Sequence, residues 1–181
     1  MPELADGVVV LTPLETTDAE AHLAGEDNEQ ARRFGWHPQR ATLVTVRTAI
    51  ARWREQWAAG GPTRAFAVRL ATTRELVGGC EVRLQADGTA HLSYWTFPAH
   101  RRRGLATRAL RLVSEYASTT LGVWRLDLHI EPDNVASRRV AQQAGFSEAG
   151  TVQDSPGVDA RQRLMMRYLL CSAAQPLSSC A

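Results

Sequence analysis

Three arginines and a glycine, Arg101-Arg102-Arg103-Gly104, stand directly before Leu105-Ala106-Thr107. A basic turn of this kind, set at the start of a helix, can hold an anion. The first helical turn leaves backbone N–H groups unpaired at the positive end of the dipole, and glycine lets a ligand approach the backbone. On its own the run also fits a solvated charge cluster or a nucleic-acid patch. A second chemistry-bearing stretch runs from Asn134 to Phe146 and reads N-x-x-S-x-x-x-x-x-x-x-G-F, with Ser137 at its serine position. Asn134 can cap a helix. Ser137 can bond the turn it sits in, or donate to a reacting atom. Other polar groups interrupt strand-like runs: Glu81, His91, Tyr94, Asp127, His129 and Glu131. Asp127 and His129 share a strand face by period two and could bond each other.

These residues need elements to hold them. Ala90–Phe97 reads as a strand ending at Pro98, and Leu105–Leu121 as a helix with Leu105, Ala109, Leu112, Val113, Tyr116 and Ala117 at helical spacing. The basic turn therefore joins a strand to a helix. Asn134–Ala144 reads as a second helix, stopped by Gly145. Upstream, Val8–Leu11 is a short strand, Thr17-Asp18 opens a helix, Glu29–Phe34 is a second helix, and Thr45–Ala59 is a third with Val46, Ile50, Trp53 and Trp57 on one face. Ala65–Leu70 and Leu76–Leu84 pair as strands, and Asp87-Gly88 signals a hairpin. Trp124–Ile130, Phe146–Val152 and Leu164–Leu170 complete the strands.

The chain has 181 residues, enough for one domain with a full core, taken here as residues 1–171 with a disordered tail at 172–181. A formal charge of +2 is too small to point to nucleic acid. No apolar run approaches the roughly 20 residues of a membrane span, and no charged start with an apolar core suggests secretion. Cys80, Cys171 and Cys180 are an odd set without metal-ligand spacing, which favours a reducing cytoplasm and no metal.

The spacing Arg101-x-x-Gly104-x-Ala106, followed by the Asn134–Phe146 pattern, resembles the GNAT acetyltransferases, in the branch of the RimJ/RimL ribosomal-protein N-terminal acetyltransferases. The resemblance covers roughly the C-terminal half of the domain. It implies an α/β fold: a twisted, mixed, mostly antiparallel sheet of six to seven strands with helices on both faces. It also implies acetyl-CoA as co-substrate. Arg101–Thr107 would bind the pyrophosphate (Arg101, Arg102, Arg103, Gly104, Leu105, Ala106, Thr107), with Arg101 and Arg103 favoured as contacts and Arg102 as a solvated charge. The pantetheine arm would run beside Trp95-Thr96-Phe97, with Asn134 bonding it.

In the family's reaction a neutral amine attacks a thioester in a ternary complex. About a tenth of a protein α-amino group is neutral at pH 7, against roughly 0.1% or less of a lysine side chain. A base and a donor to the leaving thiolate would help. Many members place a tyrosine on the cofactor-side helix for the thiolate; that position is Ala141 here, which excludes that mechanism at that site. Ser137 is the replacement. Glu81 is the first choice of base, with His91, Asp127, His129 and Glu131 as rivals. Trp36, His37, Tyr94 and Asp159 are candidate substrate-binding residues, in segments where the family's acceptors enter. The implied function is acetylation of a protein or peptide N-terminus. The alternatives are acetylation of a small amine such as an antibiotic or polyamine, and a non-catalytic acyl-CoA-binding module. Nucleic-acid and membrane partners are not expected, and a homodimer is left open.

Overall fold

In chain order the strands are β1 (Leu4–Ala5), β2 (Val9–Pro13), β3 (Thr63–Leu70), β4 (Leu76–Leu84), β5 (Thr89–Thr96), β6 (Arg125–Ile130), β7 (Ser147–Asp154) and β8 (Arg163–Cys171). The helices are α1 (Ala19–Gly25), α2 (Asn28–Arg33), α3 (Leu43–Ala58), α4 (Leu105–Thr119) and α5 (Val135–Gln143). These come from a computed structural model that describes residues 2–34, 41–154 and 162–172. The eight strands form one sheet in the order β1-β2-β3-β4-β5-β6-β8-β7. Neighbours are antiparallel except β5 and β6, which run parallel. The mixed sheet and the helix order agree with the sequence reading. The strand beyond the expected six to seven is β1, whose two residues are too few to show a period.

Alternation along the strands sends side chains to two cores, one on each face of the sheet. In β3, Phe66 and Val68 point to the face covered by α4, where they join Leu92, Leu110, Val113 and Leu126. Ala65 and Ala67 point to the other face and meet Leu14, Val46, Ile50 and Phe97 under α1 and α3. Burying a side chain such as Leu110 or Ile50 contributes roughly 1.5–3 kcal/mol, so truncating either to Ala should cost about 2–5 kcal/mol.

Local chemistry sets the helix ends. Thr42 and Thr45 form a reciprocal cap for α3: the Thr45 amide donates to Thr42 Oγ1 at 3.2 Å and the Thr42 amide to Thr45 Oγ1 at 2.8 Å. Gly104 starts α4 with φ 74°, a left-handed conformation that favours glycine. In the turn into β5, the Asp87 carboxylate accepts from the Thr89 amide at 3.0 Å, and Gly88 takes φ 79°. No helix among the described residues is long and apolar enough to cross a membrane.

Candidate active site

β5 and β6 pair only through Thr89↔Arg125, Ala90↔Leu126 and His91↔Asp127. Beyond His91 they part, and the gap opens a cleft of about 2730 Å³ reached from both faces of the sheet. The Phe97 amide donates to the Val77 carbonyl at 2.9 Å, so the backbone groups of Phe97 and Trp95 face β4. By alternation those of Tyr94 and Thr96 face the gap. Of the expected trio Trp95, Thr96 and Phe97, only Thr96 thus presents its backbone to the cleft. Phe97 is a core residue beneath α1.

At the end of this strand edge lies the turn before α4. Arg102 has φ 62° and Gly104 φ 74°. The amides of Arg103 to Thr107 find no acceptor among the described residues. A Cβ on Gly104 would meet nothing within 4 Å, so the backbone conformation, not crowding, calls for glycine there. The three arginines have different surroundings. Arg101 donates from Nε to the Thr96 carbonyl at 3.0 Å and from Nη1 to Asp27 at 2.7 Å, clamping the strand end to the start of α2. Burial pushes the Asp27 carboxyl up, but its bonds to Arg101 and the Gln30 amide outweigh this and leave it below the usual range. Arg102 lines the cleft and contacts no carboxylate among the described residues, as does Arg139 of α5. Arg103 lies outside the cleft lining, with Nη1 3.2 Å from His100 Nδ1. Leu105 and Ala106 line the cleft. The Thr107 hydroxyl donates to Gln143 Oε1 at 3.3 Å.

Across the gap, Asn134 Oδ1 caps α5 by accepting from the Ser137 amide at 3.1 Å. Ser137 Oγ lies 2.6 Å from the Tyr94 hydroxyl, which is also 3.0 Å from the Ser137 carbonyl. The candidate donor and a tyrosine from β5 therefore meet over the open strand edge. Burial pushes the Tyr94 phenol well up, so it stays protonated and can donate. Ala141 is fully buried in the core.

The other face carries an aromatic and ionic wall. A Cβ on Gly79 would come within 2.2 Å of the Trp95 ring, so this glycine lets the indole lie against β4. Trp95 stacks on Trp53 of α3, with ring centroids 6.2 Å apart, and meets Phe34 edge-on at 6.1 Å. Glu81 accepts from Trp53 Nε1 at 2.8 Å through Oε2, and its Oε1 is 3.2 Å from Arg83 Nε. Burial raises the Glu81 carboxyl, opposed by Arg83, the Trp53 bond and Arg52. Arg83 Nη2 also lies 3.1 Å from His91 Nδ1. Burial, then Arg83 and His129, pushes the His91 imidazole down to about 3.

Next to it, His129 Nδ1 is 2.6 Å from Asp154 Oδ2, and the His91 and His129 rings meet edge-to-face at 4.6 Å. The expected Asp127–His129 bond is not made. Asp127 instead accepts from Arg167 at 2.6 Å and Arg125 at 3.2 Å. Glu131 accepts from Arg163 at 2.7 Å and from Arg33. Trp36, His37 and Asp159, and the tail beyond Ser172, lie outside the described residues. Sequence reasoning missed Trp53 as a site residue. Its place on the apolar face of α3 was readable, but its bond to Glu81 depends on how α3 crosses β4.

Residues 9–147 match the family model described as an acetyltransferase (GNAT) domain. The chain is 29% identical over 149 residues to the probable N-acetyltransferase YjcK of Bacillus subtilis (strain 168), covering 78% of this chain and 82% of that one. Among solved structures, RimJ of Mycobacterium smegmatis in complex with CoA-disulfide superposes with a TM-score of 0.78 at 22% identity, covering 97% of this chain and 88% of that one. RimL, a ribosomal L7/L12 α-N-protein acetyltransferase in complex with coenzyme A, superposes with a TM-score of 0.82 at 14% identity, covering 96% and 100%. With the split sheet, the glycine turn before α4 and the family match over most of its length, this chain belongs to the GNAT family and is an N-acetyltransferase.

Proposed function

We propose that the chain moves an acetyl group from acetyl-CoA to the N-terminal α-amino group of a protein or peptide, in a ternary complex in the cytoplasm. The observation that carries this reading is the Tyr94–Ser137 pair at 2.6 Å, standing over the unpaired edge of β5 beside the unpaired amides of α4. Those amides and Arg102 suit a pyrophosphate. The open β5 edge suits an extended amide arm, paired as an added strand. Asn134 stands at the same edge, with its Oδ1 engaged by the Ser137 amide and its Nδ2 left for the arm.

The Ser137 hydroxyl would then donate to the sulfur as the C–S bond breaks, held there by Tyr94. Glu81 supplies the far wall with a buried carboxyl held between Trp53 and Arg83. The likeness to RimJ and RimL supports a polypeptide acceptor, as does the fraction of an α-amino group that is neutral at pH 7, about a tenth.

The test is mass-spectrometric product detection with acetyl-CoA and a mixed panel of acceptors: peptides with free or blocked N-termini, lysine peptides, polyamines and aminoglycosides. Acetylation confined to free N-termini supports the proposal. A small amine as the sole product moves the function to small-molecule acetylation. Acetyl-CoA binding without any product favours an acyl-CoA-binding module.

A further inference from the structure

We propose that His129, oriented by Asp154, is the group that takes the proton from the attacking amine. The inference rests on the acetyl-transfer reading above and assigns a role that reading leaves open. Three observations carry it. First, a carboxylate can only accept, so the 2.6 Å contact to Asp154 Oδ2 places the ring proton of neutral His129 on Nδ1 and leaves the Nε2 lone pair bare. This is a base with its orienting partner.

Second, His129 lines the cleft on β6 just past the last β5–β6 pair, where the sheet opens between its two faces. Third, the rival carboxylates are engaged. Both oxygens of Glu81 are held, one by Trp53 and one by Arg83. Asp127 is held by Arg125 and Arg167, and Glu131 by Arg163 and Arg33.

His91 completes the arrangement. A guanidinium only donates, so the 3.1 Å contact from Arg83 makes His91 Nδ1 an acceptor and keeps its ring proton on Nε2. His91 is thereby held neutral beside its neighbour, and a second imidazolium does not oppose charging of His129. The charged and titratable groups around His129 are Asp154 from β7, His91 from β5, Arg167 from β8, and Asp127 and Glu131 on its own strand. Arg167 is paired with Asp127 at 2.6 Å, and the carboxylate in direct contact with His129 is Asp154.

The step balances simply. The amine nitrogen bonds to the thioester carbon, its proton passes to His129 Nε2, and the C–S electron pair leaves with the sulfur, which Ser137 meets with a hydrogen bond. The imidazolium, paired with Asp154, returns its proton to solvent through the cleft. The thiolate takes one up to leave as CoA.

Steady-state acetylation of spermidine and of peptides with free N-termini, measured across pH for wild type, His129→Gln, Asp154→Asn and Glu81→Gln, tests this. Acetyl-CoA Kd by calorimetry reports folding. His129→Gln should lower kcat by about 100-fold or more with unchanged acetyl-CoA Kd. Asp154→Asn should lower kcat with unchanged acetyl-CoA Kd, because the ring loses the partner that fixes its tautomer, and should weaken the Nδ1–H preference of His129 in 15N NMR. Wild-type-like turnover in His129→Gln, or an acid-side fall of kcat/KM that survives there and disappears in Glu81→Gln, overturns the assignment. Failure of the wild type to acetylate any acceptor overturns the acetyl-transfer reading itself, a different result. Independently of turnover, 15N NMR of the imidazoles should find His129 as the Nδ1–H tautomer. An Nε2–H tautomer overturns the proposal.

Discussion

At the α4 end of the cleft the binding groups are backbone amides, an unpaired strand edge and arginines without carboxylate partners, Arg102 and Arg139. At the β6–β8 end they are side chains locked to one another: Arg33, Arg83, Arg163 and Arg167 each hold a carboxylate. Arg52 is the exception, exposed on α3 near Glu81. The first end keeps its positive potential free for an anionic ligand. The second spends almost none of its charge on the ligand and instead fixes geometry. One end is therefore suited to binding and the other to orientation and proton transfer.

Substitutions should separate the two roles. The largest effect is expected from Ser137→Ala: kcat lower by roughly 100-fold or more, as when one oxyanion donor is removed, with acetyl-CoA affinity nearly unchanged. Equal losses in both would make Ser137 structural. Tyr94→Phe removes the partner of that hydroxyl and should lower kcat about tenfold, about 1.4 kcal/mol, again without weakening acetyl-CoA. Gly104→Ala should do the reverse. A side chain at φ 74° costs roughly 1–2 kcal/mol, so acetyl-CoA binding by calorimetry should weaken by about tenfold while kcat at saturation holds.

Arg102→Ala should weaken binding by about threefold, an effect erased by salt, whereas Arg103→Ala should leave affinity unchanged. The smallest effect is on stability. The Asp27 carboxyl lies below its ordinary value of 3.8 when folded, so its pairing with Arg101 stabilises the fold above that value and is lost as pH falls through the lowered one. Arg101→Ala should therefore melt lower than wild type at neutral pH, with the two curves converging in acid.

The same contrast explains what could be read from sequence. The turn Arg101–Thr107 is contiguous, so its strand, glycine and helix start were all visible, and the helices and strands on either side fell close to their expected places. The rest of the cleft is assembled from distant residues. Trp53 and Glu81 are 28 positions apart, Tyr94 and Ser137 are 43 apart, and His129 and Asp154 are 25 apart. Which side chains meet across strands depends on register, which a single sequence does not print. Asp127 and His129 illustrate this. Period two put them on one face correctly, but Asp127 found Arg167 on adjacent β8 and Arg125 on its own strand, and His129 found Asp154 on β7, one strand further out. Arg101 shows the same limit from the other side: its type and place in the turn suggested phosphate, and its bonds to Thr96 and Asp27 arise from the packing of α2.

Gly79 has an optical consequence. By leaving room for the Trp95 indole, it allows two indoles to stack 6.2 Å apart with their planes only 21° from parallel. Electronic transitions on rings so close mix, giving paired bands of opposite sign in circular dichroism. Because one of the two rings also holds Glu81, anything that enters beside that carboxylate disturbs the pair. Under the proposed function the wall would thus carry its own label-free reporter of acceptor arrival, one that Gly79→Ala should silence.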